Sequence, residues 1–429
     1  MARDDLPSDA AATSAPAHTA RWPFVLHCVT GASAAAFDVL LKNAVIVFFA
    51  FRAGAPGQEL GLVAALAWVL FMAPFFLFSA HGGYLGDRFD AKPLVVGLRC
   101  VDLAIAAAAA YGFETGNGVL LLALIFAKGT TATLYSPVKY ALVADLLPQR
   151  AHGIGYALVE AGSMAAILAA TYLGALLGAD PDHGRIGLVI VTLVGISLVL
   201  TGVGPGWPKT GPRPPPLGLD PVRPTLEILR RVLQDRRLLA AILALAWYWG
   251  LGAVYLSNVA VLVRDVLHRD ESTIATILVV FTLGCGLGLA AGAIVNRRPL
   301  ARHLPYATAA LIVGAGLDLV FAIPLSPRRM LVDFFLVAAS SGLYASYFSA
   351  VLYRFAHRSA TSRIFAANNI ASALAIVSTL TLSTILGRLH FPVATCLTMF
   401  AVATLPLTLI VVRLLDADRA ATSRHAAHR

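Results

Sequence analysis

The apolar residues of this chain gather into twelve runs, at about 24–51, 60–81, 94–113, 118–147, 153–178, 185–205, 237–263, 273–295, 304–324, 329–355, 363–387 and 392–415. Crossing about 30 Å of hydrocarbon takes roughly 20 helical residues, and each run supplies that length. Their length and their lack of strict alternation predict helices rather than barrel strands. Between the sixth and seventh runs the pattern breaks. The stretch GWPKTGPRPPPLGLDPVRP holds a proline cluster that cannot continue a helix. After Pro224 apolar residues return at helical spacing among arginines, which predicts a surface helix at the lipid headgroups.

That interruption divides the chain. The expected organisation is an N-terminal tail (1–22), a first six-helix bundle (23–206), a linker (207–236), a second six-helix bundle (237–415) and a C-terminal tail (416–429). The fold class is an all-α polytopic membrane protein of twelve transmembrane helices in two six-helix halves. An internal repeat supports two halves. GYLGDR, starting at Gly83, recurs as GAIVNR, starting at Gly292, an offset of 209. The same offset carries Glu160 onto Asn369 and Asp38 onto Trp247, so the first half is charged where the second is amide or aromatic.

Composition agrees with lipid as the main solvent. The 429 residues are 58% hydrophobic and 13% charged, with a mean hydropathy of +0.77. Soluble domains carry about 25% charged residues. The net charge of +10 sits mostly in short loops. With residues near the run ends and Arg99 counted to the adjoining loop, twenty-three lysines and arginines fall on the side that holds both termini and seven on the other; the remaining three are Lys42, Lys128 and Lys139. That asymmetry predicts cytoplasmic termini. No nucleic-acid module is present. The four cysteines lie in or beside apolar runs without a CxxC pair, so no metal, disulfide or cofactor is expected.

Charges inside hydrocarbon mark pathways, because they persist only where they face protein or a watery cavity. Asp38 and Lys42 are four apart and share one helix face. Lys128 enters the fourth run to a similar depth. In the same run Tyr135–Tyr140 reads YSPVKY. Pro137 frees a carbonyl one turn back and predicts a kink, with Lys139 below it. Glu160, in the fifth run, reaches the depth of Lys139 and is expected to pair with it as a gate or head-group site. Trp247, with Tyr248, Trp249 and Tyr255, offers the second half's apolar wall. Gly284, Gly288 and Gly292 form a double GxxxG that predicts close helix packing.

Residues 83–92, GYLGDRFDAK, resemble the loop signature of the major facilitator superfamily, with Asp90 at a usual glycine position. The resemblance implies gating and structural roles for Gly83, Asp87 and Arg88, with Asp87 capping a neighbouring helix while pairing with an arginine. YSPVKYALVADL followed by GYALVEAGSMAAIL, and SRIFAANNIASALAIV with Asn368 and Asn369, are similar to the lysophospholipid transporter family within that superfamily. So are the blocks around the second and seventh runs. The first run keeps the family's aspartate, lysine and asparagine at Asp38, Lys42 and Asn43, with apolar neighbours at two usually polar positions.

What that resemblance implies is movement of lysophospholipid, such as lysophosphatidylethanolamine, from the outer to the cytoplasmic leaflet of a bacterial inner membrane, followed by reacylation by a separate acyltransferase. Asp38, Lys42, Lys128, Lys139, Glu160, Trp247, Asn368 and Asn369 are the implied substrate-binding set. No histidine here has an aspartate five positions later, so this chain carries no acyltransferase HxxxxD motif and is not expected to be an enzyme. The alternative is a proton-coupled drug or small-solute exporter. Such exporters commonly carry Gly-Pro in the fifth span, which here has no proline. A non-transporting scaffold has no use for the intramembrane charges.

Overall fold

The structure is a computed structural model, and it describes residues 21–51, 57–179, 183–207, 222–269, 271–296, 303–356 and 360–427. The regular structure in these residues is helical: α1 (Arg21–Phe51), α2 (Gly57–Leu77), α3 (Ser79–Arg88), α4 (Ala91–Thr115), α5 (Gly118–Leu146), α6 (His152–Ala179) and α7 (His183–Val203) precede the linker. Within the linker lies α8 (Val222–Gln234), followed by α9 (Arg236–Val261), α10 (Glu271–Val295), α11 (Leu304–Leu325), α12 (Pro327–Phe355), α13 (Thr361–Arg388) and α14 (Val393–Ala427). Among the described residues eleven helices are long and apolar enough to cross a membrane. The pair α2–α3, bent by 51°, supplies the twelfth span. The proline cluster of the linker lies outside the described residues.

The second span is bent, and residues 83–88, expected in the loop after it, belong to its second helix, α3. Pro74 has no N–H to donate, and the chain turns at Phe78 before α3 begins. The bend carries α3 against α5 and α13. Gly82 fits because its neighbour is bare backbone: a Cβ there would stand 2.8 Å from the Thr133 carbonyl oxygen. That oxygen is the one Pro137 leaves without a helical donor, four residues on. α5 runs unbroken through Pro137 from Gly118 to Leu146. The double GxxxG works as expected. A Cβ on Gly288 would fall 1.9 Å from the Ala339 carbonyl oxygen, so α10 and α12 touch backbone to backbone.

α8 is the expected surface helix. Ile228 and Val232 turn inward, while Leu226 and Leu233 are exposed. α14 continues past residue 415, where the last span was expected to end, to Ala427. One charge was misplaced by sequence reasoning. Arg99, counted among the loop cations, lies two turns inside α4 and is 1% exposed. Moving it leaves the asymmetry of loop charge intact.

Candidate functional site

Two cavities that share a wall lie among α1, α2, α5, α6, α9 and α13, with α10 and α12 closing one of them. The smaller, of about 190 Å³, is the more polar: Asp38, Lys139, Glu160, Ser136, Ser163, Asn369 and Ser372 line it with Tyr135 and Tyr140, beside apolar residues such as Phe75 and Ile167. The larger, of about 300 Å³, is apolar: Phe71, Met72, Phe75, Trp249, Leu256 and Phe281 are among its walls, and Asp38 and Lys42 are its charged residues. Asp38 lines both, as do Met72, Phe75, Ile167, Trp249 and Ile376.

In the polar cavity, Lys139 Nζ lies 3.4 Å from Glu160 Oε1, the expected pairing of α5 with α6. Tyr140 donates to the same oxygen at 2.6 Å. Glu160 is fully buried, and its other oxygen, Oε2, has no hydrogen-bond partner among the described residues. The Tyr135 hydroxyl, the Asn369 amide nitrogen and the Ser372 hydroxyl are likewise buried without partners. Buried polar atoms are normally satisfied, so a cluster of orphans around one hollow marks a place for a polar guest or for water. Asn369 already reaches across the cavity, since its Oδ1 accepts from Ser136 of α5 at 3.1 Å.

Asp38 and Lys42 share a helix face but do not pair. Asp38 Oδ1 is 2.5 Å from Lys128 Nζ of α5. Lys128 is also 3.4 Å from Asp102 Oδ1 and donates to Thr131 Oγ1 at 3.1 Å. Thr131 in turn donates to Asp102 at 2.6 Å, and Arg99 Nη1 holds the other Asp102 oxygen at 2.8 Å. Lys128 thus lines neither cavity and is 1% exposed, which corrects its assignment as a substrate-contacting residue. Arg99 and Asp102 are the charged residues that sequence reasoning missed. The signal was present: opposite charges three apart inside an apolar run share a helix face.

Lys42 takes another solution. Its ammonium sits 3.1 Å from the centroid of the Trp68 ring and 5.5 Å from that of Phe71. Among the described residues no carboxylate comes within ion-pair distance of it. A cation over an indole face is stabilised, but its charge is not neutralised.

Two further placements differ from expectation. Trp247 lines neither cavity: its indole donates to Thr404 of α14 at 2.9 Å and lies beside Phe400. Trp249, two positions on, points about 200° away around the helix and lines both cavities. Asn368 is buried next to Asn369 but lines neither cavity.

One end of the molecule is held shut by contacts from the first six spans to the last six. Asp87, 3% exposed, accepts from the backbone N–H of Ser362 at 3.0 Å and of Arg363 at 3.4 Å, capping α13. Its Oδ2 also meets Arg363 Nε at 2.9 Å. Arg363 is thus an arginine that Asp87 engages, and Arg88 lies over the Phe89 ring at 6.0 Å. Gly83 lets α3 approach, since a Cβ there would stand 2.8 Å from Arg363 Cα. Nearby, Tyr353 of α12 donates to the Tyr140 carbonyl at 2.9 Å, and Tyr140 stacks on Phe365 at 5.0 Å.

Comparison with known proteins places this architecture. The Major Facilitator Superfamily profile matches residues 24–380. Multidrug resistance protein MdtH of Salmonella paratyphi B is 28% identical over 242 residues, which are 53% of this chain and 56% of that protein. MdtH of Salmonella newport matches to the same extent. The chain thus spans about half the length of the curated relatives it matches. Among solved structures, the human organic anion transporter MFSD10 superposes with a TM-score of 0.74 at 17% identity, covering 93% of this chain and 100% of that one. The transporter FucP in its outward conformation gives 0.72 at 15% identity, covering 92% and 99%. These two likenesses are of fold alone.

Proposed function

Because the chain belongs to the major facilitator superfamily, whose members are membrane transporters, we propose that it moves lysophospholipid across the bilayer by alternating access of its two halves. One observation carries the reading: a polar cavity and an apolar cavity share a wall, with Asp38 at the seam. A lysophospholipid has one charged head and one acyl chain, and the pair of cavities matches that division. Glu160 and the unpartnered hydroxyls of Tyr135 and Ser372 beside it suit an ammonium. Lys139 and Lys42 suit a phosphate, which binds best to charged donors. Phe75, Trp249, Leu256 and Phe281 offer an apolar bed for the chain. A head-group guest would break the Lys139–Glu160 pair and supply both members with new partners, so neither is left charged and alone.

The direction follows from the same reading. Cytoplasmic termini, as the loop charges suggest, put the Asp87 junction on the cytoplasmic side of a bacterial inner membrane, and lysophospholipid enters from the outer leaflet to be reacylated by a separate acyltransferase. A second reading is export of amphipathic drugs. It is favoured by the name of the Salmonella relatives and by Asp38 in the wall of the apolar cavity, with Glu160 in the adjoining one, which suit lipophilic cations.

Proteoliposomes separate the two. Purified protein is expected to take up labelled lysophosphatidylethanolamine, and Glu160→Gln is expected to lower that uptake at least tenfold per folded, reconstituted molecule. Drug-driven counterflow without lysophospholipid uptake would replace the first reading with the second.

A further inference from the structure

Asp38 is the one member of a buried four-charge chain that reaches the cavities. It is 20% exposed, whereas Lys128, Asp102 and Arg99 are each 1% exposed or less. Two positive and two negative charges balance within the chain. The order is what matters. Lys128 stands between two carboxylates, at 2.5 Å from Asp38 and 3.4 Å from Asp102, and Thr131 bridges the second gap with a hydrogen bond to each side. Asp102 is already held by Arg99 and cannot follow Lys128. The guanidinium of Arg99 lies 4.7 Å from the centroid of Tyr135, whose hydroxyl is buried at the polar cavity without a partner.

We propose that Lys128 is a transferable counter-ion: when a cationic guest takes Asp38, Lys128 shifts its charge to Asp102, and Arg99 with Asp102 are positioning residues that make this release inexpensive. Leaving one member of a buried ion pair uncompensated is strongly destabilising. A guest ammonium at Asp38 would impose that penalty on Lys128 if no second carboxylate stood near. Asp102 removes the penalty with a movement of less than one helical turn, and Thr131 keeps a hydrogen bond to the ammonium along the way. The shift also tightens α5 on α4 and loosens it from α1, so occupancy of the cavity changes the packing of three helices. This inference rests on the reading of Asp38 as a guest-facing group.

The test is a double substitution that keeps the charge balance. Arg99→Met with Asp102→Leu replaces the outer ion pair by apolar side chains of similar size, a change that is usually neutral or stabilising in a buried site. Octylammonium and octyl sulfate serve as probes, and dissociation constants come from thermal stabilisation of the full-length protein in maltoside micelles. The double variant is expected to bind octylammonium about tenfold more weakly than the unmodified protein, with octyl sulfate unchanged. Unchanged octylammonium binding overturns the relay, since charge balance alone would then suffice. An equal loss for both probes overturns it too, as general damage to the cavity. If octylammonium does not stabilise the unmodified protein and Asp38→Asn changes nothing, the assignment of Asp38 as guest-facing falls, and the relay with it. Lysophosphatidylethanolamine uptake, measured beside these, shows whether the transport reading stands when the relay fails.

Discussion

Asp87→Asn tests how the closed end is held. The carboxylate accepts from two N–H groups at the start of α13 and pairs with Arg363. Asparagine has one acceptor oxygen, so one backbone bond survives, while the ion pair and the charge at the helix N-terminus are lost. A hydrogen bond to a charged group contributes about 1.5–3 kcal/mol. A carboxylate at a helix N-terminus adds about 0.3–2 kcal/mol. The Arg363 side chain is 24% exposed and partly screened by water, so the lower part of the combined range applies. The closed junction should weaken by about 2 kcal/mol, which is about thirtyfold in its equilibrium with an open form.

Spin labels on exposed Phe89, after α3, and exposed Arg354, near the end of α12, report on this junction in a background without the four free cysteines. Electron–electron resonance should show a longer distance population in Asp87→Asn that is minor in the unmodified protein. Identical distributions in the two proteins would refute the reasoning. They would mean that Tyr353, Tyr140 and Phe365 hold the junction without help from the charge.

Three further outcomes are expected. Gly288→Ala puts a methyl group against the Ala339 carbonyl, where nothing flexible can yield; overpacking of this kind costs about 1–3 kcal/mol, read as a lower Tm in detergent. Trp249→Ala should raise the KM for substrate about tenfold with little change in Tm, because the indole lines both cavities; Trp247→Phe should lower Tm through loss of about 1 kcal/mol for the bond to Thr404 and leave KM alone. Lys42→Met should weaken binding of octyl sulfate about tenfold while holding or raising Tm, since it removes a buried cation that stands over Trp68 with no carboxylate at ion-pair distance among the described residues; equal loss of octyl sulfate and octylammonium binding would count against Lys42 as an anion site.

The sequence by itself determined the twelve apolar spans, the GxxxG packing of α10 and the Lys139–Glu160 pair. Each is a local property. Hydrocarbon thickness fixes span length, and glycine alone permits backbone contact. Partner choice was a different matter. Asp38 and Lys42 sit one turn apart, yet Asp38 pairs with Lys128, ninety residues away, because α5 brings that ammonium to 2.5 Å while Lys42 turns onto Trp68. Spacing along one helix states which side chains share a face; it does not state which neighbouring helix will offer a better partner. The same limit explains Trp247 and Trp249, nearly opposite each other on α9 and separated only by where α14 lies. Only the packing of α4 against α5 revealed that Arg99 and Asp102 complete a neutral buried chain. Helix packing sets the distances between charges far apart in sequence, and in a low-dielectric interior those distances decide which of them face a guest and which are consumed by one another.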